Sequence, residues 1–127
     1  MHVRPVFHFV RYAVGLIFTA AGINGFFVFW GLESFLPESP EALELLGTGY
    51  LLFMEKAVEL VGGLLLLWGR FIPLGLAALF PLTVNIAAFH LFRDSQLLMP
   101  VLGLFAAHLY LLWSIRDRYR FLLTYRL

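Results

Sequence analysis

The stretch YLLFMEKAVELVGGLLLLWGRFIPLGLAALFPLTVNIAAFHLF, residues 50–92, decides the fold. It consists of two apolar blocks of about 20 residues that meet at Gly69-Arg70, with Pro73 where the first turn of a second helix tolerates a missing N–H. At about 1.5 Å per residue, each block is long enough for a hydrocarbon core of about 30 Å. Neither block alternates as a strand would, and neither keeps the broad polar face that a soluble helix needs. The pair reads as a helical hairpin in lipid.

Two further blocks flank the hairpin. The first covers residues 12–30 and follows a mixed segment at residues 6–11; the fourth covers residues 97–115, after a turn at Arg93-Asp94-Ser95-Gln96. With residues 50–69 and 71–92 between them, residues 1–127 form a single all-α domain, an integral membrane four-helix bundle. The chain is 61% hydrophobic and 13% charged with a mean hydropathy of +0.87, which excludes an ordinary soluble domain. It has no cysteine, which removes disulfides, thiolate metal sites and dithiol redox relays. A net charge of +1, with no basic face interleaved with exposed aromatics, argues against nucleic acid as a partner. The start of the chain has no small-residue cleavage site after its apolar run, so the first span is expected to be retained.

The longest connection, residues 31–49, carries a helix signal of its own. Ser39-Pro40-Glu41 supplies an N-cap, a first-turn proline and a first-turn acid, predicting a short helix from Pro40 to Leu46 at the mouth of the bundle. Orientation follows from the arginines. Arg4, Arg11, Arg70, Arg116, Arg118, Arg120 and Arg126 fall on one side of the four-span arrangement. The other side has Arg93 and the acidic loop with Glu33, Glu38, Glu41 and Glu44. Both termini are therefore expected on the cytoplasmic side. The tail from Arg116, with Tyr119, Phe121 and Tyr125 among its arginines, is expected to anchor at the interface and to meet anionic lipid.

Ionisable and amide side chains are costly within a span, so each one is a candidate binding residue. These are Asn24 in the first span, Glu55, Lys56 and Glu59 in the second, Asn85 and His90 in the third, and His108 in the fourth. Counting depth along antiparallel helices places all seven between the midplane and the outer face, with the inner half almost purely apolar. This predicts a polar cavity open to the outside, with Glu55, Glu59 and the glycines Gly62 and Gly63 on its wall. Lys56 is three residues before Glu59 and can pair with it. Asn85 and His90 are five apart and reach one spot only if the helix bends, for which Pro81 is a cause. Each residue also has a plain structural use: the asparagines as interhelical hydrogen bonds, Glu55 and Lys56 as an edge pair, Glu59 and His108 as a packing pair. No His-Glu-x-x-His or Glu-x-x-His spacing is present, so no metal site is expected, and Thr19, Thr83 and Ser114 have no histidine arrangement suited to nucleophilic catalysis.

Several of these segments, in order, resemble the DoxX family of small four-span membrane proteins. They are Ala21-Gly22-Ile23-Asn24-Gly25-Phe26, Ser39-Pro40-Glu41-Ala42, Gly47-Thr48-Gly49-Tyr50-Leu51, Glu59-Leu60-Val61-Gly62-Gly63 with the leucine run and Gly69-Arg70, and Asn85-Ile86-Ala87-Ala88-Phe89-His90. The resemblance implies a bacterial cytoplasmic (inner) membrane protein in a family named for association with a quinone-linked oxidoreductase. Asn24, Glu59, Asn85 and His90 fall within the family-like segments; His108 does not. The leading expectation is a binding or accessory subunit, rather than an enzyme on its own, whose cavity takes a small amphipathic ligand such as a quinone or lipid. Membrane lipids, a redox subunit or further copies of the chain are its expected partners. A redox component working through Glu59 and His108, a solute or proton pathway, and a purely structural subunit are the alternatives.

Overall fold

The computed structural model describes residues 4–37 and 39–125; the readings placed on the start of the chain, on Glu38 and on Arg126 lie outside the described residues. Five α-helices follow in order: α1 (Pro5–Phe29), α2 (Pro40–Leu46), α3 (Tyr50–Trp68), α4 (Ile72–Phe92) and α5 (Leu98–Ser114). Short 3-10 segments occupy Ser95–Leu97 and Arg116–Leu123, and no strand occurs among the described residues. α1 begins at Pro5 rather than at residue 12, because Phe7 and Arg11 continue the buried row of Val14, Phe18 and Gly22 by one further turn and more.

The punctuation behaves as residue chemistry dictates. Ser39 Oγ accepts the Ala42 N–H and caps α2, with Pro40 opening the helix. Gly69 closes α3 in the left-handed conformation (φ 82°), and its N–H is bonded to the Leu65 carbonyl. Phe71 also adopts a left-handed φ of 56°, so the chain reverses within a few residues before Pro73. A bulky residue at positive φ is an outlier, held there by the shortness of the turn.

α1 lies on α3 along most of its length, α3 on α4, α4 on α5, and α5 returns to α1. Phe7, Val14, Phe18, Leu66, Leu76, Leu79, Leu111 and Ile115 form the buried core. The outward side chains, including Leu16, Ile17, Leu64, Leu74 and Leu109, are equally apolar and exposed. Three helical stretches are long and apolar enough to cross a membrane: Pro5–Phe29, Ile72–Phe92 and Ser95–Ser114. The 19-residue α3 differs because it carries Glu55, Lys56 and Glu59.

Candidate functional site

The seam between α1 and α3 is built on missing side chains. A Cβ at Gly22 would lie 2.8 Å from the Leu60 backbone nitrogen, and one at Gly63 would lie 2.6 Å from that of Thr19. Small residues on both helices thus let the two backbones approach, which in lipid supplies most of the packing energy. Gly25 gives the same space to the methylene stem of Lys56, which lies across it. The stem's direction fixes the charge: Lys56 Nζ is 2.9 Å from Glu59 Oε2 and 3.8 Å from Glu55 Oε1.

Glu59 is only 2% exposed, whereas Lys56 and Glu55 reach the surface. Two carboxylates therefore share one ammonium, and the inner one is dry. The Lys56 contact is an ion pair without hydrogen-bond alignment. Glu59 Oε2, like Thr19 Oγ1 and His90 Nε2, is buried without a hydrogen bond among the described residues. Beneath Glu59 the glycines serve as packing surfaces rather than cavity wall: Gly62 receives Leu79 and Gly63 receives Thr19.

The other four sequence candidates separate. His108 is fully buried and committed on both nitrogens: Nε2 donates to the Leu76 carbonyl at 2.9 Å, which leaves Nδ1 to accept the Thr83 hydroxyl at 2.8 Å. These two partners lie on either side of Pro81, so α5 braces α4 where the proline removes a helix hydrogen bond. His90 donates from Nδ1 to the Ile86 carbonyl at 2.9 Å, and it lies on the inward row of α4 with Leu79 and Thr83. Asn24 is an anchor for the following loop, its Oδ1 accepting from Ser34 Oγ, the Phe35 N–H and the Leu36 N–H at 3.1, 2.8 and 3.1 Å. Asn85 is exposed on the outer surface of α4 and does not join Glu59. His90 is buried on another side of the same helix, so the two do not share a face. Among the described residues no three His, Asp or Glu side chains converge as metal ligands.

Two features were missed in the sequence. Beside Lys56, an entirely apolar groove of about 450 Å3 is lined by Ile23, Phe26, Phe27 and Trp30 of α1 with Phe53 and Leu60 of α3. Phe53 and Leu60 stand three before and four after Lys56, so the ammonium and the groove share a side of α3. The aromatic run in α1 was the available signal. At the opposite end Arg11 is buried, donating from Nη1 to the Leu66 carbonyl and from Nε to His8 Nδ1, with its guanidinium over the Tyr12 ring. A cation here meets the exposed carbonyls at the end of α3. The expectation of an almost purely apolar inner half is corrected by this residue.

The segment between α1 and α3 is tied down as well. Ser39 Oγ donates to Asp94 Oδ2 at 2.6 Å, joining the cap of α2 to the turn between α4 and α5. That bond, with the Gln96 N–H on the other oxygen, holds the Asp94 carboxyl below its ordinary range.

In comparison with known proteins, the family model DoxX matches residues 6–91 of the 127. No curated protein and no solved structure matches. The matched region takes in α1 to α4 up to Leu91, including the glycine seam and the Glu55, Lys56 and Glu59 cluster. With its long apolar helices and apolar outer surface the molecule is an integral membrane protein, and the chain belongs to the DoxX family.

Proposed function

We propose that this protein binds a small amphipathic molecule, quinone-like or lipid-like, along the seam of α1 and α3, and serves as an accessory subunit of an inner-membrane oxidoreductase system. The headgroup meets Lys56, Glu55 and Glu59; the tail lies in the groove of Phe26, Phe27, Trp30 and Phe53. The observation that carries this reading is the adjacency of a wholly apolar groove to a charged cluster in which two carboxylates share one ammonium and the inner carboxylate is buried. An amphipathic ligand has a use for both. His90, with an unused buried Nε2 on the inward row of α4, is a second headgroup contact in the same proposal.

In this reading all four long helices cross the membrane, both termini are cytoplasmic, and α3 crosses because Lys56 and Glu59 neutralise each other. The absence of native cysteine makes that topology simple to test. Single cysteines placed at Glu33 and at Arg120 are labelled by an impermeant maleimide from opposite sides of the membrane if the reading holds.

The ligand test compares wild type with Lys56→Met/Glu59→Leu, which removes both charges together, and with Phe26→Ala/Phe53→Ala. Mass spectrometry of copurifying lipids and quinones, with titration of a short-chain ubiquinone, is expected to show loss of binding in both double variants. Unchanged copurification and unchanged titration would sink the proposal.

A further inference from the structure

The end of the molecule where α1 begins, α3 turns into α4 and α5 closes holds Arg4, Arg11, Arg70, Arg116, Arg118 and Arg120, against Asp117 as the acid there among the described residues. Among those residues, none of these arginines has a carboxylate within ion-pair distance. At this end lies a cleft of about 330 Å3 whose polar wall is His8 and Arg118 and whose apolar wall includes Phe7, Phe71, Ile72 and Ile115. We propose that this cleft is a specific site for the phosphodiester headgroup of an anionic phospholipid, separate from the α1–α3 seam and independent of the ligand proposed there.

Arg11 sets the chemistry of His8. Its Nε and Nη2 lie 3.3 and 3.2 Å from His8 Nδ1, and a guanidinium only donates, so Nδ1 accepts and the ring N–H is at Nε2. His8 therefore offers a donor of fixed identity, backed by a buried positive charge that no carboxylate offsets. Arg118 supplies the planar fork that phosphate oxygens accept from. The backbone that carries it is anchored on both sides, because Tyr119 donates its hydroxyl to the Pro73 carbonyl at 2.7 Å and Ile115 is buried. The source of the phosphate follows from the other wall. Phe71 and the adjacent Trp68 are exposed aromatic surface continuous with the lipid-facing helices, where acyl chains lie and a free anion gains nothing.

A diffuse basic surface would also attract anionic lipid, so the test separates the two. Full-length protein is placed in nanodiscs of phosphatidylcholine alone or with phosphatidylglycerol, and bound lipid is read by native mass spectrometry after release, with melting temperature as a second measure. Arg118→Gln and His8→Phe are expected to lower phosphatidylglycerol retention about tenfold, the effect of one charge-assisted hydrogen bond. Arg120→Gln removes the same charge outside the cleft and is expected to change retention less than about twofold. The wild-type preference is expected to persist in moderate salt. Equal losses for Arg118→Gln and Arg120→Gln, with retention abolished by salt, would overturn the site in favour of a diffuse surface. Stabilisation by inorganic phosphate in detergent equal to that by phosphatidylglycerol would overturn the lipid assignment. Circular dichroism confirms that the variants are folded; all three substituted side chains are exposed.

Discussion

The Thr83 hydroxyl donates to His108 Nδ1 across 2.8 Å, and the same imidazole holds the Leu76 carbonyl, so a single side chain of α5 spans the proline step of α4. His108→Leu leaves a buried hydroxyl and a carbonyl without their partner. The expected cost is about 1–3 kcal/mol in detergent unfolding. Thr83→Val costs less, and the double variant is less than additive because both changes break the same bond. Full additivity would show that the bond does not support the fold.

Removing Lys56 alone is expected to cost more than removing Lys56 and Glu59 together. Lys56→Met strands a buried carboxylate and should destabilise by about 3–5 kcal/mol, whereas Lys56→Met/Glu59→Leu should recover most of that loss. Chemical denaturation of the four-member cycle measures the coupling. If Lys56→Met alone is neutral, the carboxylate is already neutralised by a proton.

Glycines on and off the seam give a matched pair. Gly63→Ala drives a methyl onto the Thr19 backbone, which cannot turn aside, and should cost about 1–3 kcal/mol. At Gly103 an added Cβ meets nothing within 4 Å, so Gly103→Ala should gain about 0.5–1 kcal/mol from helix propensity. Equal melting temperatures for the two variants would contradict the close approach of α1 and α3.

Two groups outside the spans predict opposite pH responses. Asp94 is held below its ordinary 3.8 by Ser39, so its contribution is complete above that value and is lost as pH falls through the lowered folded value. Acid should therefore release α2, seen as faster hydrogen exchange at residues 40–46, and Ser39→Ala should remove the transition. Tyr119 is pushed up to about 12 from 10.0 by burial, so its contribution is complete below 10 and is lost as pH rises toward 12. Tyr119→Phe should abolish that alkaline step in tail mobility.

The helices were legible because lipid demands long apolar blocks and because Gly69, Pro73 and Ser39-Pro40 punctuate them. Relative level along neighbouring helices needs only residue counting. Direction around the helix was the weak point. Thr83 and Asn85 are nearly level, yet two residues turn a helix by about 200°, which puts the first in the core and the second on the surface. The buried row of Phe7, Arg11, Val14 and Phe18 had the right spacing, but a charge near a span end reads as solvated, so Arg11 passed for a surface residue. The loop partners of Asn24 follow no period and left no trace in the sequence.

Gly25 has no side chain where the stem of Lys56 crosses, and the two positions are consequently not free to vary separately. A descendant that gains a side chain at position 25 must move or shorten the one at position 56, and a chain that loses the lysine releases the constraint on the glycine. Within the family this should leave a record of paired replacement, with the order of the two changes fixed by which one the membrane tolerates alone.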